Sequence, residues 1–138
     1  MVTSLFATVG PNGTPFNRLI GWLDRWLDLH GDSVEAYLET GASRPPRWIV
    51  WTPSLDPGER ELAVLAADIV VCDGAPASMT VCTAAGRTPL VVPRDERQTL
   101  HCRHLAAAGR IRVAEREDRF GELLTAALGA VTTQAVAS

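Results

Sequence analysis

The segment Ala67-Asp68-Ile69-Val70-Val71-Cys72-Asp73-Gly74-Ala75-Pro76-Ala77-Ser78 decides how this chain is read. Ile69 to Cys72 is a continuous apolar run, the pattern of a strand covered on both faces. Small residues follow it, and Pro76 suits the first position of a helix. A buried strand, a tight turn and a helix in succession form the basic step of a parallel α/β sheet.

The same step repeats on both sides. Upstream, Ser4 to Val9 reads as a strand ending in the turn cluster Gly10-Pro11-Asn12-Gly13. Phe16, Leu19, Ile20, Leu23 and Leu27 recur at helical spacing over Phe16 to Leu29. Val34 to Leu38 alternates like a half-buried strand, Gly41 to Pro46 is a loop, and Trp48 to Trp51 reads as a third strand closed by Pro53. Asp56 and Pro57 make an N-cap and first-turn pair for a helix to about Ala67. Downstream, Ala75 to Gly86 reads as a short helix ending on glycine, and Pro89 to Pro93 as a buried strand. A helix through Ala108, a last strand at Ile111 to Val113 and a last helix from Phe120 to Ala130 complete the series. Five or six strands alternating with helices imply a doubly wound, mostly parallel, Rossmann-like sheet. One domain is expected over 1–130, and the weakly patterned tail 131–138 is expected to fray.

Composition bounds the function. The chain has 138 residues, 46% hydrophobic and 21% charged, with a net charge of -3. That balance gives no polyanion-binding surface, so nucleic acid is not an expected partner. All the basic residues are arginine, which reflects genome composition rather than chemistry. Cys72, Cys82 and Cys102 are odd in number and lack CxxC spacing, so a reducing cytoplasm fits better than a disulfide scaffold. No basic segment precedes the first strand, which argues against a signal peptide. The run Leu62 to Val71 is broken by Asp68 and is too short to span a bilayer.

In open α/β sheets, ligands bind beyond the carboxyl ends of the strands, where the strand order reverses. Three loops belong there: Gly10 to Thr14, Asp73 to Ser78, and Arg94 to Gln98. In the second, Gly74, Ala75 and Ala77 let a ligand approach the backbone, and Ser78 adds a hydroxyl. The N–H groups of the helix start would favour a phosphate or diphosphate. The competing reading is that small residues simply permit close strand–helix packing. The two are evenly balanced on pattern alone.

As a set, these residues resemble a known family. Thr8-Val9-Gly10 with Pro15-Phe16-Asn17-Arg18-Leu19-Ile20 is similar to the "TVG…PFDRL" opening of a group of small bacterial glycosyltransferases. Gly41 to Pro46 is similar to their middle loop, and Ala67 to Ser78 to their "ADVVVCHGGPGT" segment. Ala85-Gly86 through Pro93-Arg94 resembles "AGRxPxVVPR", and Gln98 falls at the glutamine of "DxHQ". The family is the glycosyltransferase family 28 C-terminal domain. The nearest branch is the short form resembling the catalytic subunit of the dolichol-pathway UDP-GlcNAc transferase and PssE exopolysaccharide subunits.

The resemblance implies the donor-binding half of a GT-B fold, working without cofactor or metal. A separate membrane-associated subunit would supply the acceptor side, placing the chain in the cytoplasm or at the inner membrane face; a homodimer is also open. The chain would transfer a sugar from UDP-GlcNAc or another UDP-hexose, with inversion, to a lipid-linked or glycan acceptor. By resemblance, Gly10, Asn12 and Thr14 lie near the cleft, and Gly74, Ala75, Pro76, Ala77 and Ser78 hold the diphosphate. Ser54 lies in the loop that contacts uracil, Arg94 serves the phosphates, and Gln98 reaches sugar hydroxyls. Departing UDP would be stabilised by the helix dipole and arginines while a base activates the acceptor.

Departures from the family pattern define a rival. Its histidine is Asp73 here, and two of its glycines are Ala75 and Ala77. A carboxylate at a diphosphate site is unfavourable unless Arg94 or Arg97 offsets it. The family's ribose-binding acid is Val81, a loss worth ~1.5–3 kcal/mol of hydrogen bonding. The rival is therefore a non-catalytic binding or scaffolding subunit that keeps the fold. Asp73 itself is a candidate catalytic base, weighed against a hydrogen-bonded loop residue.

Other features have blander readings. His101, Cys102 and His104 on one helix suggest zinc, but a solvated helix face is favoured. Ser78 lacks the flanking glycines of an esterase elbow. Trp22, Trp26, Trp48 and Trp51 are expected in the core, with partner docking as the alternative.

Overall fold

The computed structural model describes residues 2–10 and 14–137, with side chains to 134. Asn12 therefore lies outside the described residues. Among these residues eleven elements follow one another, strand and helix alternating except that β3 comes directly after β2: β1 (Thr3–Thr8), α1 (Asn17–His30), β2 (Val34–Glu39), β3 (Val50–Thr52), α2 (Pro57–Ala66), β4 (Ile69–Asp73), α3 (Pro76–Ala84), β5 (Leu90–Val92), α4 (Glu96–Ala107), β6 (Arg112–Val113) and α5 (Glu117–Ala137). The six strands form one sheet in the order β3-β2-β1-β4-β5-β6. Every pairing is parallel, with Leu5 opposite Ile69 and Thr8 opposite Cys72 across the centre. The fold is thus the doubly wound α/β sheet expected from the sequence, and its order reverses between β1 and β4.

Alternation along β4 builds two cores. Ile69 and Val71 join Trp22, Leu23, Trp26, Phe120 and Leu124 beneath α1 and α5. Val70 and Cys72 join Val64, Met79, Cys82 and Cys102 beneath α2, α3 and α4. The Asp56 carboxylate accepts from the Glu59 N–H at 2.8 Å, and Glu59 returns the bond to the Asp56 N–H at 3.1 Å. This reciprocal cap fixes the start of α2.

Two expectations are corrected. The expected strand Trp48–Trp51 is only Val50–Thr52, because Asp24 accepts the Arg47 and Trp48 N–H groups and holds that stretch off the sheet. Trp48, off the sheet, is 64% exposed, and Trp51, on the edge strand β3, is 42% exposed, whereas Trp22 and Trp26 are buried. The last helix does not stop at Ala130 but runs to Ala137, starting at Glu117. Its apolar stripe continues past Leu124 through Ala127, Leu128 and Val131, which pack against the first core.

Candidate functional site

The carboxyl ends of β1 and β4 open into a cleft of about 380 Å³. Val9, Gly10 and Thr14 line it from the β1 side, Asp73, Ala75, Ala77, Ser78 and Val81 from the β4–α3 side, with Arg60 and Arg94 between. The start of α3 is open. Its Ala75 cap makes no side-chain bond, Pro76 has no N–H, and the first helical bond is from Met79 N–H to Ala75 O. Among the described residues, the Ala77 and Ser78 N–H groups and the Ser78 hydroxyl therefore have no partner, at the positive end of the helix dipole.

Asp73 closes β4 and is 1% exposed. Its Oδ2 accepts from Arg94 Nε at 2.9 Å, so the carboxylate at this strand end is held by an arginine beside it. Its Oδ1 is buried without a hydrogen-bond partner among the described residues. Arg94 is engaged at all three nitrogens: Nη1 donates to Thr14 O, and Nη2 donates to Val9 O at 3.2 Å. Its guanidinium also sits 4.7 Å from the centre of the Phe16 ring. Arg94 thus ties β1, β4 and β5 together across the cleft.

A second ion pair joins the end of β2 to α2. Arg60 Nε and Nη2 donate to the two Glu39 oxygens, each at 2.8 Å, and Nη2 also donates to Leu55 O. Thr8 Oγ1 donates to Glu39 at 2.6 Å and the Leu55 N–H at 2.7 Å. Burial works to raise the Glu39 pKa, but the bonds from Arg60, Thr8 and Leu55 outweigh it and hold the carboxyl below its ordinary value. Among the described residues Arg60 Nη1 has no partner, on a residue that lines the cleft. Sequence reading missed Glu39 and Arg60. The available signal was an acid ending an apolar strand at the carboxyl edge, but nothing in sequence pairs it with Arg60.

The remaining sequence candidates fall around the cleft. Gly74 sits against its neighbours: a Cβ there would be 2.8 Å from Gln98 Oε1 and 3.1 Å from Pro93 Cα. Gln98 is not in the cleft lining, and its Oε1 accepts the Arg94 N–H at 2.9 Å. Pro76 and Ser54 are exposed and do not line it. Arg97 is exposed, so Arg94 alone offsets Asp73. His101 and His104 are exposed while Cys102 is buried, its thiol 3.9 Å from the Met79 sulfur. Burial pushes Cys102 up to about 11, and the bond to Cys82 together with burial raises Cys72 well above the ordinary thiol value. These thiols are core residues held neutral.

No protein-family model matches the sequence, and no curated protein does. Solved structures do match. The glycotransferase of kitacinnamycin superposes with a TM-score of 0.68 at 13% identity, over 91% of this chain and 34% of that one. The chain therefore spans about one third of that protein. The molybdenum cofactor carrier protein from Chlamydomonas reinhardtii superposes with a TM-score of 0.51 at 14% identity, over 99% of this chain and 100% of that one. At such identities the likeness is one of fold, and the fold is shared with part of a glycosyltransferase. Among the described residues, no helix is long and apolar enough to cross a membrane.

Proposed function

We propose that this chain is the donor-binding half of a two-component glycosyltransferase of the family 28 type. It binds UDP-GlcNAc or another UDP-hexose in the cleft between β1 and β4. With a membrane-associated partner subunit at the inner membrane face, it transfers the sugar with inversion to a lipid-linked or glycan acceptor. The observation that carries this reading is the open start of α3 at the point where strand order reverses. Ala77 and Ser78, with their two free N–H groups and a hydroxyl, and Arg60, with its spare Nη1, all line that cleft, and such a set suits a diphosphate. The match to about one third of a larger glycotransferase fits a chain that supplies one lobe of a cleft.

A second reading has its own observation. Asp73 already places a carboxylate beside the helix start and holds Arg94, which favours a scaffolding subunit that does not bind donor. The full-length likeness to a carrier protein also fits a binding role without catalysis.

Thermal unfolding with UDP, UDP-GlcNAc and UDP-glucose, against CMP, separates the two. Ligand at about 100 times its Kd adds roughly 2.7 kcal/mol, several degrees for a domain of this size. A uridine-selective rise supports the enzyme half. No rise with any uridine nucleotide supports the scaffold.

A further inference from the structure

We propose that Asp73 selects the sugar end of the ligand, its free Oδ1 accepting a hydrogen bond from a sugar hydroxyl. This rests on the UDP-sugar reading of the same cleft and adds which group goes where. Asp73 is 1% exposed and lines the cleft; one of its oxygens is held by Arg94, and the other is buried without a partner among the described residues. A carboxylate only accepts, and leaving a buried acceptor unpaired is costly, so a ligand that donates there gains what the protein withholds.

The surroundings narrow the donor. A phosphate oxygen brings no proton at neutral pH and meets a like charge. An ammonium would enter a cleft lined by two guanidiniums, those of Arg60 and Arg94, and the two carboxylates nearby are already paired with them. A metal ion has no cluster of three acidic, histidine or cysteine ligands among the described residues. A neutral hydroxyl meets none of these objections.

The arrangement then sorts the ligand along the cleft. The diphosphate lies on the Ala77 and Ser78 N–H groups, and a hexose hydroxyl reaches Asp73. Gln98 takes no part in this contact, since its side-chain oxygen accepts the Arg94 N–H.

The test is the affinity of the full chain for UDP and for UDP-glucose by calorimetry, with wild type and Asp73→Asn. Asparagine keeps the size but turns an amide N–H into the cleft if its oxygen stays with Arg94. Wild type should bind UDP-glucose at least ~10-fold more tightly than UDP, the lower end for a hydrogen bond to an ionised group. In Asp73→Asn that ratio should fall to about threefold or less, with UDP affinity retained or improved. A second measurement needs no variant: one monodeoxy analogue of UDP-glucose should fall to the affinity of UDP on wild type. UDP binding with no sugar preference, or a preference untouched by Asp73→Asn and by every deoxy analogue, overturns the proposal and leaves the UDP-sugar reading standing. No binding of UDP or UDP-glucose overturns both.

Discussion

Arg94 Nε and Asp73 Oδ2 lie 2.9 Å apart, joining the ends of two adjacent parallel strands across the mouth of the cleft. The pair is unequal: the Asp73 side chain is 2% exposed and that of Arg94 18%. Removing the arginine strands a buried carboxylate, whereas removing the carboxylate leaves a guanidinium with carbonyl partners and access to water. Arg94→Ala should therefore cost about 3 kcal/mol and Asp73→Ala about half as much. Urea denaturation of both variants checks the order. An equal or reversed cost would mean that the pair is not what holds this edge.

The Glu39–Arg60 pair is buried more deeply and carries more bonds. Glu39→Gln should destabilise by about 3–5 kcal/mol, since Arg60 keeps a buried charge with no counter-ion. The folded pKa of Glu39 lies below the unfolded one, so its contribution is complete above the unfolded value, about 4.3, and is lost as pH falls through the folded value. The gap in stability between wild type and Glu39→Gln should be widest near neutral pH and shrink in acid. A gap that widens in acid contradicts the assignment.

The four tryptophans divide by burial rather than by sequence spacing. Trp22→Ala should cost about 3–5 kcal/mol, because Trp22 packs against Phe120 with ring centres 5.6 Å apart. Trp48→Ala should stay within about 0.5 kcal/mol. Thermal unfolding of the two variants decides this, and a large cost at Trp48 would place it in the core after all.

Gly74 lets β4 and α4 approach each other. Gly74→Ala should cost about 1–3 kcal/mol, since the new methyl meets the Pro93 backbone at 3.1 Å and Cys102 Sγ at 3.2 Å, neither of which yields easily. A neutral substitution would show that the backbone there has room to shift.

Much of the fold was legible because Ile69 to Cys72 and Leu90 to Val92 are apolar without interruption, which few arrangements other than central parallel strands tolerate. The Asp56-Pro57 helix start was equally plain, since its cap is a local interaction. The edge was not. Whether Trp48 joins a strand depends on Asp24, 24 residues earlier in α1, taking its N–H. The end of α5 failed for the opposite reason: small residues such as Ala127 and Ala130 weaken the apolar stripe that Val131 continues. In the site, the loops at the strand ends were readable from their turn residues. The pairing of Glu39 with Arg60 and the saturation of Arg94 were not, because both are made by residues far apart in sequence.

A UDP titration of isotope-labelled protein, followed by backbone amide resonances, tests whether the open start of α3 holds the diphosphate. Ala77 and Ser78, at the open start of α3, should move first and furthest, with Gly10 and Thr14 following. Shifts confined to another surface, such as the exposed edge around Trp48 and Trp51, would contradict that, as would no shift at millimolar UDP.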